Sequence, residues 1–328
     1  YIYFSKMKSF VLLFLLFFPL LFCENPITFD KLLEDLKKDA KMKKMAIAGA
    51  DIPETLETSR LAKDMKIGDS ILIGNEEKIK AIAKEKNIDI SDFKIINLND
   101  PTEISRYAVK LVHDGEADMY VKGSLETRDV LKAVLDKEIG LKTEDLISLV
   151  GVFEIEGKMM YLTDPSVIPY PTLENKVQLI NNAVKFAAST GLFNPKVAAV
   201  TAIGITNPRM PETLEAEELM EMNKRGEIKD CIVDGPLSLD LAISPESAKI
   251  KNSKRRINGD ADIILFPDVH AANIAYKILT HLSDAKSGNI IIGTRQPVIL
   301  SSRSDTVQVK LNSIILGFTY DKFNAHKQ

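Results

Sequence analysis

A doubly wound α/β fold is the fold class that this sequence predicts, and two observations lead to it. From Ile27 onward, short and continuously apolar segments alternate with segments whose apolar residues recur at helical spacing. Continuous apolar strands between amphipathic helices indicate a parallel sheet that is covered on both faces. The chain of 328 residues is also long for one core and comfortable for two. We therefore expect two α/β parts.

The first part, residues 27–146, is predicted to contain four strands with helices between them. Thr28 can cap a first helix, and Pro101 can open a later one. The apolar segments predict strands over 45–50, 70–74, 93–98 and 118–121, with helices over 54–66 and 76–86.

The alternation is interrupted from residue 147 onward, where we place the domain boundary. Two apolar segments flank Glu156-Gly157-Lys158, which predicts a β-hairpin with Gly157 in its turn. Prolines at 165, 169 and 171 then prevent regular structure. Beyond them we predict helices over 173–189, 211–224 and 271–282, strands over 197–203, 231–233, 262–266 and 289–292, and a last apolar stretch over 298–300.

Composition excludes several classes of function. The net charge of −3, the absence of Trp and an aromatic content of 7% argue against a nucleic-acid partner and against attraction to an anionic membrane. The two cysteines, Cys23 and Cys231, belong to no Cys/His cluster with zinc spacing. We expect a reducing compartment and no metal.

The N-terminal segment 1–26 resembles a leader. Met7-Lys8 precedes an apolar run over 10–22, the pattern of a signal peptide, and that run is too short for a membrane span. Two interpretations stay open: an export signal cleaved near Cys23, or a leader irrelevant to the mature protein.

Polar residues follow the predicted strands, and open α/β sheets bind ligands at the carboxyl ends of their strands. Hydroxyl, ammonium, guanidinium and small side chains at such ends suit an anion, most simply a phosphate. The candidate residues are Lys122, Gly123, Thr163, Asp164, Asp268, Asn273, Lys277, Gly293, Thr294, Ser302, Arg303 and Asp305.

Each candidate also has a purely structural interpretation. Ser302 could cap a helix that starts near Asp305, and Arg303 could pair with a surface carboxylate. Thr163-Asp164 could be turn residues, and the lone His281 could be a polar filler. Nucleotide-binding loops of the GxxxxGK[ST] or GxGxxG type and the GxSxG elbow are absent from the expected positions.

Taken together, several runs resemble the phosphate acetyl/butyryltransferase family. They are FPDVHAANIAYK at 266–277, GT at 293–294 and PVILSSRSD at 297–305, with ADMYVKG at 117–123, YLTD at 161–164 and VDGPLSLD at 233–240 upstream. The resemblance extends from Ile27 to Leu316, and the upstream runs match the phosphate butyryltransferase branch best.

This resemblance implies reversible transfer of an acyl group between CoA and inorganic phosphate, with no metal or redox cofactor. It also implies two α/β domains of the isocitrate/isopropylmalate-dehydrogenase type, with the site in the cleft between them. Residues 27–146 plus 297–320 would form domain I, and residues 147–296 would form domain II. Family members are homo-oligomers built on dimers.

By resemblance, Ser302 and Arg303 match a pair that contacts CoA, the reacting centre or phosphate, and Asn273 and Lys277 match cleft positions. The acidic base of the acetyltransferase branch falls near Gln308 and Val309 here, so we expect Asp305 to be the base. That branch also has a phosphate-binding arginine where this chain has His281. Either His281 or Lys122 would take its place.

Four functions remain open from the sequence. Butyryl transfer is the leading one, and acetyl transfer is the second. A sensor that binds CoA or phosphate without turnover is the third, and a dehydrogenase on the same fold, for which we find no acidic metal ligands, is the fourth. Because CoA and acyl phosphates are cytoplasmic metabolites, we expect a cytoplasmic protein, with secretion as the alternative.

Overall fold

One sheet runs through the part of the chain that the structure, a computed structural model, describes, namely residues 27–39 and 42–325. The predicted leader at 10–22 lies outside these residues. In the described part, the sheet has eleven strands: β1 (Lys43–Ala48), β2 (Gly68–Gly74), β3 (Lys94–Asn97), β4 (Met119–Lys122), β5 (Ser148–Ile155), β6 (Lys158–Thr163), β7 (Lys196–Val200), β8 (Ile232–Leu237), β9 (Ile263–Leu265), β10 (Lys286–Ile292) and β11 (Val298–Ile299).

The sheet consists of two parallel blocks that run in opposite directions. Its strand order is β3-β2-β1-β4-β11-β10-β5-β6-β9-β7-β8. The first five strands are mutually parallel, and so are the last four. Between the blocks, β10 is antiparallel to both β11 and β5, and β5 is antiparallel to β6. The parallel pairing that the alternation predicts is present within each block, and the pairing is antiparallel at the centre, where the predicted hairpin β5–β6 lies.

Helices cover both faces of this sheet, as the alternation of apolar segments predicts. The helices are α1 (Phe29–Leu36), α2 (Pro53–Asp64), α3 (Glu76–Glu85), α4 (Pro101–His113), α5 (Thr127–Val134), α6 (Leu173–Ser189), α7 (Pro211–Lys224), α8 (Leu239–Ile243), α9 (Pro245–Ile250), α10 (Val269–Leu282) and α11 (Val307–Ala325). In β1, Met45 and Ile47 pack into the core under α2 and α11, whereas Ala46 and Ala48 pack under α4 on the other face. The fold is thus doubly wound.

Most predicted elements agree with the structure within a few residues, and α6 and α7 have the predicted bounds. The strand predicted over 197–203 ends at Val200. Its pairing with β8 shifts register between Ala198 and Val200, and the chain bends beyond Thr201. The short helices α8 and α9 were not predicted.

The last helix, α11, lies close against β10 in the middle of the sheet. The backbone N–H of Asn289 donates to Ser313 Oγ at 2.9 Å, and Asn312 Nδ2 donates to the carbonyl of Ser287 at 2.9 Å. A Cβ atom on Gly288 would be 3.0 Å from the backbone nitrogen of Ser313. Any side chain at 288 would therefore require the helix backbone to move back from the strand by a few tenths of an ångström.

In residues 27–39 and 42–325, no helix combines the length and the apolar character that crossing a membrane requires.

We expect Gly288→Val to lower the free energy of unfolding by about 3 kcal/mol, because an overpacked side chain must displace the backbone of α11. Gly115→Ala is the control, since a Cβ there has no neighbour within 4 Å. The left-handed φ of +76° at Gly115 should cost about 1 kcal/mol. Urea denaturation measures both values, and equal losses in the two variants would contradict the close approach.

Candidate active site

A cleft of about 480 Å³ opens beside the junction of the two strand blocks. Its lining comes from both predicted domains, and the domain assignment itself stays a prediction. The lining residues are Lys122, Glu126, Thr127, Leu149, Pro165, Ser166, Asn273, Tyr276, Lys277, Asn289, Leu300, Ser301, Ser302, Arg303, Ser304 and Asp305. Six of the candidate residues therefore meet in one cleft: Lys122, Asn273, Lys277, Ser302, Arg303 and Asp305.

Residues 301–305, which follow β11, form a loop along one wall, called here the 301–305 loop. Lys122, the last residue of β4, donates from Nζ to the carbonyl of Ser301 at 3.0 Å. Lys310 of α11 donates from Nζ to the carbonyl of Ser302 at 2.8 Å. Asp305 closes the loop by accepting the backbone N–H of Ser302 on Oδ2 at 2.7 Å. Strand β11 is paired on both sides, so the loop starts from a fixed point.

Two of these groups are buried lysines, with Lys122 4% exposed and Lys310 3% exposed. Burial, together with the smaller effect of the neighbouring positive charges of Lys310 and Arg303, lowers the pKa of Lys122 to about 8. Burial also lowers the pKa of Lys310. Desolvation disfavours the charged form of both lysines. An anion bound at this wall would compensate their positive charge and so stabilise that form.

Ser302 and Arg303 project at the mouth of the cleft. The Ser302 hydroxyl is 3.0 Å from that of Ser304, and the Arg303 guanidinium donates to Glu126 Oε1 at 2.8 Å. The pair Arg303–Glu126 is well exposed on both sides, so it contributes little to stability. Arg303 can therefore exchange this partner for an anionic ligand at small cost. The alternative of a helix cap at Ser302 is wrong, because Thr306 Oγ1 accepts the N–H of Val309 at the start of α11.

Three buried polar atoms around the cleft have no hydrogen-bond partner in the described part of the chain. They are Ser301 Oγ, Asn289 Oδ1 and Asp305 Oδ1. Asn289 Nδ2 donates to the hydroxyl of Tyr276 at 3.4 Å, and burial raises the pKa of Tyr276 to about 12. The Tyr276 hydroxyl therefore keeps its proton. Unpartnered buried polar atoms are unfavourable, so this part of the cleft is prepared for a ligand or water with hydrogen-bonding groups.

Helix α10 forms the opposite wall. Asn273 Nδ2 donates to the carbonyl of Pro165 at 2.9 Å, which ties the helix to the segment after β6. Lys277 lies one turn further along the same face and lines the cleft.

The other candidate residues lie outside the cleft lining. Gly123 lets the chain pass the Gly49 carbonyl, since a Cβ on it would be 1.9 Å from that oxygen. Asp268 caps α10 by accepting the N–H of Ala271. Thr163 Oγ1 faces the carbonyl of Leu149 at 3.5 Å, and His281 is exposed in the last turn of α10.

Gly293 and Thr294 correct the expectation that all candidates share one edge of the sheet. They follow β10, which is antiparallel to β11, so the carboxyl ends of these two strands lie at opposite edges. The Gly293 carbonyl accepts the backbone N–H of Thr143, and the backbone of Thr294 pairs with that of Lys142 in an isolated antiparallel β-bridge.

Asp164 organises the turn that leads to the cleft wall. Its carboxylate accepts the backbone N–H groups of Leu149, Ser166, Val167 and Ile168 at 3.0–3.3 Å. Burial raises its pKa to about 6, while these four donors lower it. The carboxylate is fully engaged with backbone, so its geometry is that of a turn residue.

Sequence reasoning missed several residues of the site. Lys310, Tyr276, Asn289 and Glu126 had no predicted role. The one signal in the sequence for Lys310 is its position between Asp305, the predicted base, and the apolar residues that α11 buries. A lysine at such a position can point toward the site.

We expect Asp164→Asn to lower the free energy of unfolding by about 2 kcal/mol, because an amide offers one acceptor oxygen where the carboxylate offers two. Asp268→Asn is the matched control, since asparagine caps a helix as well as aspartate does. Thermal or urea unfolding measures both. If Asp164→Asn matches wild type in stability, the turn does not depend on this carboxylate.

Comparison with known proteins identifies the family. The family model described as phosphate acetyl/butaryl transferase matches residues 99–318. The chain is 44% identical over 282 residues to the phosphate butyryltransferase of Clostridium acetobutylicum, covering 85% of this chain and 94% of that protein. It is 41% identical over 293 residues to the phosphate acetyltransferase of Thermotoga maritima, covering 89% and 99% of the two chains.

Solved structures agree with this result. A branched-chain phosphotransacylase from Enterococcus faecalis superposes with a TM-score of 0.76 at 33% identity, covering 85% of this chain and 99% of that chain. The 4-hydroxythreonine-4-phosphate dehydrogenase of Klebsiella pneumoniae, at 12% identity, has a TM-score of 0.52 over 86% of this chain and 100% of that chain, a likeness of fold alone. The predicted dehydrogenase-like α/β fold is confirmed. The chain is an acyltransferase and belongs to the phosphate acetyl/butaryl transferase family.

Proposed function

We propose that this enzyme transfers a butyryl group reversibly between CoA and inorganic phosphate. The observation that carries the proposal is the 301–305 loop, in which Ser302, Arg303 and Asp305 meet Lys122 in one cleft. In the thioester-forming direction the CoA sulfur attacks the carbonyl carbon of butyryl phosphate, and the carbon–oxygen bond to phosphate breaks. The thiol proton goes to a base, and inorganic phosphate leaves.

Asp305 is the proposed base. A thiol has a pKa near 8.5, so at neutral pH it needs a base to form the attacking thiolate. Asp305 Oδ2 is held by the N–H of Ser302, while buried Oδ1 has no partner in the described residues. An oriented acceptor beside Ser302 is what proton removal requires.

Lys122 and Arg303 are the proposed phosphate-binding cations. Lys122 uses one donor on the Ser301 carbonyl and has two more, and Arg303 can exchange Glu126 for phosphate. The Ser302 hydroxyl and Arg303 would also stabilise the oxyanion that forms at the acyl carbon. His281 lies outside the cleft lining, which favours Lys122 as the replacement for the family's arginine.

The acyl chain is proposed to contact Leu149, Pro165 and Leu300, the apolar residues of the lining. A butyryl chain buries two more methylene groups there than an acetyl group does, each worth about 0.8 kcal/mol. The similarity to a protein named phosphate butyryltransferase supports this choice, and the similarity to one named phosphate acetyltransferase keeps acetyl transfer as the second candidate.

We propose that no metal or redox cofactor takes part, since the ammonium and guanidinium groups supply the positive charge that phosphate needs. We also propose a cytoplasmic location, where CoA and acyl phosphates occur.

A homo-oligomer built on dimers is proposed from an apolar stripe on α10. Ile274, Ile278 and Leu282 recur every four residues and are 60%, 51% and 81% exposed. Large apolar side chains in one exposed row are typical of a surface that another protein copy covers.

The decisive experiment is phosphate-dependent CoA release from acyl-CoAs of increasing chain length. We expect turnover with and without EDTA, and the largest kcat/KM with butyryl-CoA. The largest value with acetyl-CoA would select the second candidate. Binding of acyl-CoA without any CoA release would identify a sensor instead.

Asp305→Asn should lower kcat by two or more orders of magnitude, the usual effect of losing a general base, because an amide cannot accept the thiol proton. Asp268→Asn, which changes a carboxylate outside the cleft lining, should keep the wild-type rate. A near-wild-type kcat for Asp305→Asn removes it from the role of base.

The dependence of kcat/KM on pH should reflect the titration of Lys122. Because its pKa is lowered to about 8 and the charged form is the one that binds phosphate, kcat/KM should fall as pH rises above about 8. Lys122→Arg keeps its charge throughout this range and should shift the alkaline limb to higher pH. An unchanged limb in this variant would mean that another group titrates.

A further inference from the structure

Two buried lysines hold neighbouring carbonyl groups of the 301–305 loop from different elements. Lys122 at the end of β4 donates to the carbonyl of Ser301, and Lys310 in α11 donates to the carbonyl of Ser302. The distances are 3.0 and 2.8 Å. The loop is therefore attached on one side to the sheet and on the other to the helix that crosses it.

This arrangement is unfavourable for the fold on its own. Lys310 is 3% exposed and lies near a second buried ammonium group, Lys122, whose pKa it lowers. Taking two like charges out of water has a large desolvation cost, and an apolar side chain of similar size would avoid it. Stability therefore does not account for a lysine at 310.

We propose that Lys310 is a positioning residue, which holds the 301–305 loop so that Ser302, Arg303 and Asp305 face the substrate. The inference rests on the function proposed above and adds a residue that does not itself need to touch substrate. Because Lys310 fixes the Ser302 carbonyl and Asp305 fixes the N–H of Ser302, the peptide units on both sides of Ser302 have defined orientations.

The charges around the two lysines predict a second effect. Lys310 faces the carboxylates of Asp305 and Glu54. The positive charges of Lys310 and Arg303 lower the pKa of Lys122, and the negative charges of Glu126 and Asp305 raise it. Removing the charge of Lys310 therefore raises the pKa of Lys122, and the alkaline limb of kcat/KM moves to higher pH.

Hydrogen exchange measures the positioning directly and does not depend on turnover. The amides of Ser302 and Asp305 are both hydrogen-bonded within the loop. In Lys310→Met, the peptide that contains them should exchange at least tenfold faster than in wild type, the size expected for loss of one charge-assisted hydrogen bond. Lys322→Met is the matched control, because Lys322 leaves the same helix and pairs with Asp39, a residue outside the cleft lining.

Steady-state kinetics on the same proteins test the consequence. Lys310→Met should lower kcat at least tenfold and shift the alkaline limb upward, whereas Lys310→Arg, which keeps a charged donor, should recover most of the kcat. Lys322→Met should match wild type in both measurements.

A folded Lys310→Met protein with wild-type exchange or wild-type kcat overturns the proposal. If that variant does not fold, Lys310→Gln, which keeps a shorter neutral donor, takes its place under the same criteria. Absence of CoA release from wild type would reject the proposed function alone, since the exchange comparison between Lys310→Met and Lys322→Met still decides whether Lys310 holds the loop.

Discussion

The close contact between α11 and β10 is the constraint on which the site depends. Gly288 leaves room for the backbone of α11. Hydrogen bonds from Asn289 and Asn312 fix the position of this helix along β10 and its rotation about its own axis. Lys310 leaves the first turns of the same helix, so its Nζ reaches the Ser302 carbonyl only while the helix holds this place. Packing in the core thus determines where the wall of the cleft lies.

In the absence of a ligand, the cleft contains buried charged groups and buried polar atoms without hydrogen-bond partners in the described residues, and both are energetically unfavourable. Burial lowers the pKa values of Lys122 and Lys310, and Ser301, Asn289 and Asp305 each have a buried oxygen without a partner. A ligand would relieve both conditions if it carried negative charge for the lysines and also donated hydrogen bonds to the oxygens of Asn289 and Asp305. This is the usual relation between a site and its scaffold, in which local stability is lower where function is carried out.

Local patterns predicted most strands and helices and six of the cleft residues, because apolar periodicity and strand ends are properties of short segments. They failed for Gly293 and Thr294, because the direction of β10 depends on its pairing with distant strands. Asp164 shows a different limit, since a carboxylate after a strand has the same sequence pattern whether it binds a ligand or accepts turn amides. Lys310 was missed because a lysine in a helix usually lies in solvent.

The position of β11 links the order of synthesis to the assembly of the protein. This strand, only two residues long, is paired between β4 and β10, so it connects the rest of the first block to the central strands although it comes near the end of the chain. The other ten strands of the described sheet all precede β11 in the chain, and the contact from Lys122 to Ser301 spans 179 positions. Contacts of such sequence separation slow folding. A chain that stops before residue 298 therefore lacks both the strand that pairs β4 with β10 and the loop that carries Ser302, Arg303 and Asp305, so this wall of the cleft forms only when the chain is nearly complete.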